Sequence, residues 1–94
     1  MESLPPDLEP YQRTKEFSET TVPSGLTHRH DTKAGVWGRI CVVEGVLIYR
    51  ILEPEIEEHR LTPGVDGVVE PRVPHEVEPS GPVRFYVEFL RSAG

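Results

Sequence analysis

Gly25-Leu-Thr-His-Arg-His-Asp-Thr-Lys-Ala-Gly-Val-Trp-Gly-Arg-Ile-Cys-Val-Val-Glu-Gly45 is the stretch on which the fold turns. From Gly35 to Val43 it is β-prone without interruption. Alternation puts Val36, Ile40 and Val42 on one side of a strand and Trp37, Arg39, Cys41 and Val43 on the other. Apolar residues on both faces predict a strand covered on both sides for part of its length. Glycine supplies positive φ cheaply, so Glu44-Gly45 predicts a tight turn. Val46 to Leu52 then returns, which makes Val36–Leu52 a hairpin. Upstream, His28 and His30 lie two residues apart; if Gly25–His30 is extended, both imidazoles point the same way.

Working outward, residues 1–10 hold three prolines and three acids. They read as an extended N-terminal arm ahead of a single domain over 11–94. Tyr11 to Phe17 is a first strand, followed by a loop with Pro23-Ser24-Gly25 as its turn signal. Beyond the hairpin, Glu53 to Glu58 is a solvated acidic loop. Short strands are expected at His59–Thr62, Val68–Pro71 and Pro74–Glu78. Pro79-Ser80-Gly81-Pro82 reads as a turn, and Val83–Arg91 as the closing strand. No segment carries a sustained 3.6-residue apolar period with caps. The pattern of about seven or eight short strands divided by turns predicts an all-β sandwich or barrel.

Composition narrows the class. Ninety-four residues make one domain with one modest core, burying roughly 60–70% of the surface its unfolded chain exposes. Ten lysines and arginines against 16 acids give a net charge of −6. That balance repels phosphate backbones and argues against nucleic acid as a partner. Cys41 is the single cysteine, which rules out an intrachain disulfide and fits a reducing compartment. No apolar run reaches the length of a membrane span, and the first residues carry no signal-peptide pattern. A cytoplasmic protein is expected.

Four histidines, His28, His30, His59 and His75, bring the chemistry. A strand-borne His pair, a later His and a carboxylate supply the donors of a metal site with an open position. On spacing alone, surface histidines in an acidic protein are the plainer explanation. Energetics sharpen the choice. An unpartnered buried polar group costs about 1–3 kcal/mol, against a total stability of about 5–15 kcal/mol. Histidines facing the interior must therefore bind something, metal or water.

Three segments carry a resemblance: His30-Asp-Thr-Lys-Ala-Gly-Val-Trp-Gly-Arg-Ile40, Val43-Glu-Gly45 and Val69-Glu-Pro-Arg-Val-Pro-His-Glu-Val-Glu78. They resemble a small cupin-like family, found alone in many bacteria and fused ahead of some TehB-type tellurite-resistance methyltransferases. The resemblance runs from about Tyr11 to Arg91. It implies a small cupin-like (double-stranded β-helix or jelly-roll) barrel of short antiparallel strands, with a metal site inside and an activity generally unassigned. His30, Lys33, Gly35, Trp37, Gly45, His75 and Glu78 match the family pattern. The acid that usually follows a cupin His-x-His is missing, and Val73 stands where glycine is usual. The chain has neither the length nor the glycine-rich cofactor loop of a methyltransferase.

These readings combine into one set of expectations. A divalent transition metal (Zn, Fe, Mn or Ni) sits on His30 and His75, with Glu78 as ligand or supporting residue and His28 as a third imidazole. Lys33, Trp37, His59 and Glu88 line or border a pocket, Lys33 drawing in a small anionic or oxygen-containing molecule and Glu88 standing as a reserve ligand. Any reaction would be metal-assisted chemistry on that molecule. The competing expectations are a small-molecule binder or sensor without turnover, and a structural barrel without metal. So small a barrel is expected to pair as a homodimer.

Overall fold

A computed structural model describes residues 1–93. Two long strands dominate it, β3 (Trp37–Ile51) and β6 (His75–Ser92), paired antiparallel from Trp37↔Leu90 to Ile51↔His75. Around them stand β1 (Leu8–Arg13), β2 (Phe17–Ser18), β4 (Glu57–Leu61) and β5 (Gly67–Val69), with one helical turn, α1 (Ser24–Thr27). The sheet runs β1-β6-β3-β4, while β2 also pairs with β6 and β5 with β3. β1 and β2 line the outer edge of β6; β5 and β4 share the outer edge of β3, one on each half. The all-β antiparallel class stands as read from the sequence.

The strands are not short, however, and the barrel is not closed. The expected hairpin at Glu44-Gly45 does not form; β3 runs straight through it. Pairing changes register between Val42 and Glu44 and again between Gly45 and Leu47. Across the first change β3 carries one extra residue, Val43, and across the second the surplus falls on β6 at Ser80–Pro82. A single extra residue is a β-bulge, which bends the strand and re-aims the side chains beyond it. Accordingly the buried positions of β3 are Ile40 and Val42 before the bulge but Leu47, Tyr49 and Ile51 after it. Gly45, at φ +86°, spends its left-handed freedom on this bulge instead of a turn. The segment Pro79–Pro82 likewise lies inside β6, facing the bend in β3.

Bent at both places, the sheet folds over and buries one face of each half against the other. The core joins Ile40, Val42, Val83 and Phe85 on one half to Leu47, Tyr49, Leu61 and Val77 on the other. The halves approach closely at Gly67 of β5, where an added Cβ would stand 2.9 Å from Leu61 and 3.1 Å from Tyr49. The Tyr49 hydroxyl donates across the gap to the Val68 carbonyl at 2.8 Å. The expected His-bearing strand over Gly25–His30 is absent. Pro23–Thr27 curls into α1 instead, with the Leu26 amide donating to the Pro23 carbonyl and the Thr27 hydroxyl to the Ser24 carbonyl. Leu26 packs on the core.

Candidate functional site

Between the halves lies a cavity of about 270 Å³. Its wall is built by alternation: Phe85, Val87 and Phe89 project from one face of β6, and Gly38 and Ile40 from β3. Phe17, Leu26 and the two histidines His30 and His75 complete much of the rest. His75 opens β6, where Pro74 biases the entry to extended backbone. His30 follows α1 and meets it through an isolated bridge: the His30 amide donates to the His75 carbonyl at 2.9 Å and the His75 amide to the His30 carbonyl at 2.8 Å. Their rings stand edge to face, centres 5.4 Å apart. The Tyr49 ring backs His75 at 5.8 Å, also edge to face.

The two imidazoles differ. His75 is 5% exposed, and its Nδ1 lies 3.0 Å from the Val73 carbonyl. A carbonyl only accepts, so Nδ1 carries the proton and Nε2 the lone pair when the ring is neutral. Burial, and secondarily the proximity of His30, hold the His75 pKa below its ordinary value, against the opposing pull of the Val73 hydrogen bond and Asp31. His30 Nδ1 is buried and has no hydrogen-bond partner among the described residues. Such a group is uncommon in folded proteins and often marks a functional position. The remaining polar wall is already engaged. The Thr14 hydroxyl donates to the Lys15 carbonyl and accepts from the Val87 amide, and Thr32 donates to the Val36 carbonyl.

A family description, the TehB-like domain, matches residues 12–87 of the chain. The chain belongs to the TehB-like domain family. Among solved structures, TehB from Haemophilus influenzae superposes with a TM-score of 0.85 at 28% identity, covering 93% of this chain and 32% of that one. The chain thus spans about a third of that protein's length. A protein from E. coli strain K12 superposes with a TM-score of 0.89 at 22% identity, each chain covered completely. That second likeness speaks for the fold alone. No curated protein matches the chain.

In this TehB-like domain the residues expected from the sequence fall into two groups. His30 and His75 come together at the cavity. The others stand elsewhere. His28 is exposed, its Nδ1 2.8 Å from the Ser24 carbonyl within α1. Because α1 replaces a strand, it does not share a face with His30. Glu78 lies on the outer face of β6, where Arg50 reaches it at 2.6 Å while also binding Glu58 and Glu76. Three carboxylates around one guanidinium push the Arg50 pKa up. Glu88 is paired with Arg39, and His59 lies 3.0 Å from Glu57. Lys33 is exposed, and Trp37 is half-buried on the face of β3 opposite Ile40. Among the described residues no three His, Cys, Asp or Glu side chains assemble into a group able to hold a metal. The donor set offers two imidazoles and no third protein ligand, which does not fit a metal shell closed by this chain. Burial pushes the Cys41 thiol pKa up, the wrong direction for a nucleophile.

Sequence reasoning missed the apolar wall. Phe85, Val87 and Phe89 are legible as one strand face, but nothing in their spacing says that the space before them is left unfilled. Tyr49 was readable only once the bulge at Val43 had shifted its parity inward.

Proposed function

We propose that this chain is a cupin-like small-molecule-binding module, with its ligand held in the cavity between the folded sheet halves and its polar end against His30 and His75. The observation that carries this reading is the meeting of two sequence-distant imidazoles in an apolar cavity, one with a buried Nδ1 lacking a partner. Thr14 and Thr32 each give their hydroxyl proton to a backbone carbonyl, so the imidazoles are the cavity side chains with a nitrogen left unpaired. Binding would order the pair and exclude water from it. Neither a nucleophile nor a third donor stands beside them among the described residues, and binding without turnover is the function that the donor set supports best. Membership of the TehB-like domain family supports a part in tellurite resistance; in this reading the module works in the cytoplasm as a sensor or accessory unit in tellurite or other oxyanion stress. Free edges on β1 and β4 would let two copies associate as a homodimer.

A second reading keeps a metal, and the same pair favours it. A divalent transition metal, Zn, Fe, Mn or Ni, would take His30 and His75 as its only protein ligands and fill its shell from water and the bound molecule. It would act as a Lewis acid on that molecule. One experiment addresses both readings: elemental analysis of untagged protein, with ligand screening by calorimetry on wild type and His75→Ala. Ligand binding without metal, lost in His75→Ala, supports the first reading. Stoichiometric metal lost in the variant supports the second. A folded protein that takes up neither refutes both.

A further inference from the structure

We infer that the cavity is built for an uncharged, ring-sized apolar molecule bearing one hydrogen-bond donor, a phenol-like ligand, and not for an oxyanion. This rests on the reading of the cavity as the ligand site and names the class of molecule that site takes. Three observations carry it.

The first is charge. No Lys, Arg, Asp or Glu is among the residues lining the cavity. Lys33, the cation expected to draw in an anion, is exposed on the connection before β3. Arg29 and Arg39 are taken by Glu53 and Glu88. An anion moved into this space would lose its hydration with no opposite charge to replace it, which is strongly unfavourable.

The second is shape and size. Phe17, Phe85, Phe89, Ile40, Val87 and Leu26 present carbon to the cavity. An apolar protein cavity of about 150 Å³ accepts benzene, so 270 Å³ accommodates a substituted six-membered ring. Ring edges can meet the Phe faces in the offset or edge-on arrangements that aromatic pairs prefer.

The third is the polarity of the free cavity nitrogen whose tautomer a hydrogen bond fixes, His75 Nε2; His30 Nδ1 is the other unpartnered nitrogen. His75 donates through Nδ1 to the Val73 carbonyl, leaving Nε2 as a lone pair with no protein hydrogen bond among the described residues. A lone pair calls for a donor. A hydroxyl or ring N–H satisfies it; a carboxylate would set lone pair against lone pair at this nitrogen. The preference for donor over acceptor therefore follows from the Val73 carbonyl, which fixes the tautomer.

The test uses p-cresol, its isostere p-xylene, benzoate and tellurite as probes on the full chain, by calorimetry and by amide chemical-shift mapping. p-Cresol is expected to shift the amides of Phe85, Val87 and Gly38 and to bind about 3- to 10-fold tighter than p-xylene, the worth of one neutral hydrogen bond. In His75→Phe that preference is expected to collapse while p-xylene still binds, and the retained binding reports that the fold is intact. Should this variant not fold, the imidazole nitrogen resonances of the wild type decide: His75 Nε2 moves with p-cresol and not with p-xylene. Equal affinity for the two isosteres overturns the donor assignment. Benzoate or tellurite occupying the cavity while p-cresol does not overturns the inference but leaves the cavity as a ligand site. No binding by any of the four overturns the inference, and the metal content of the same sample then decides whether the His30–His75 site survives.

Discussion

Replacing Gly45 with alanine tests the folding-over of the sheet, on which the cavity depends. At φ +86° an alanine incurs the left-handed penalty of about 1–2 kcal/mol. Its Cβ would also overlap the Pro82 carbonyl oxygen and stand 2.9 Å from Val83 Cα. Both neighbours are backbone, so no rotamer change relieves the contact, and forced overpacking adds about 1–3 kcal/mol. The sum is about 2–5 kcal/mol, a large part of the 5–15 kcal/mol that holds a domain together. Two other glycines serve as controls. Gly81 also has positive φ, +79°, but open space around its Cβ position, so Gly81→Ala should cost only the conformational penalty of about 1–2 kcal/mol. Gly25, in α1 with neither restriction, should tolerate alanine or gain up to about 1 kcal/mol. Urea unfolding at constant slope reads all three, and thermal midpoints should fall by about 4–8 °C per kcal/mol lost. Equal losses in Gly45→Ala and Gly81→Ala would refute the close backbone crossing at the bend.

Further expectations concern the site and the bulge. Because the His75 pKa is lowered on folding, the unfolded chain takes up the proton first as pH falls. Its contribution to stability is therefore complete above the ordinary value near 6.5 and is lost as pH drops toward the lower folded value. Urea midpoints measured across acidic to neutral pH should show that slope, and His75→Phe should flatten it; an unchanged slope contradicts the burial argument. Tyr49→Phe removes the hydroxyl that donates to the Val68 carbonyl and should cost about 0.5–1.5 kcal/mol, with faster amide exchange in β5. Val42 is buried and Val43 exposed, so Val43→Thr should stay within about 0.5 kcal/mol of wild type while Val42→Thr loses more. The reverse order in urea unfolding would place the extra residue of β3 elsewhere.

Much of the fold was legible because local signals and the core agreed. The β-prone runs 36–43, 46–52 and 83–91 lie in strand but for Val36 and Leu52 at their ends, and in keeping with the absence of a helical period the described residues contain a single turn of helix. Gly45 misled because positive φ serves a bulge as readily as a turn. Only the approach of Pro82 and Val83, more than 35 residues away, decides between them. The same ambiguity hid the continuity of β6 through Pro79–Pro82. At the site, His30 and His75 could be named from their motifs, but their environment could not. The residues that would complete a shell failed to arrive for local reasons: α1 took His28 out of strand geometry, alternation turned Glu78 outward to Arg50, and Arg39 claimed Glu88.

His30 and His75 share one apolar cavity, with Nδ1 of His75 bonded to the Val73 carbonyl and its Nε2 lone pair open to a guest. Long-range proton–nitrogen correlation spectra of the imidazoles at neutral pH measure this directly. The expected result is His75 as the neutral Nδ1–H tautomer, with nuclear Overhauser contacts to the His30 and Tyr49 rings. A charged or Nε2–H His75, or rings with no contact between them, would contradict it.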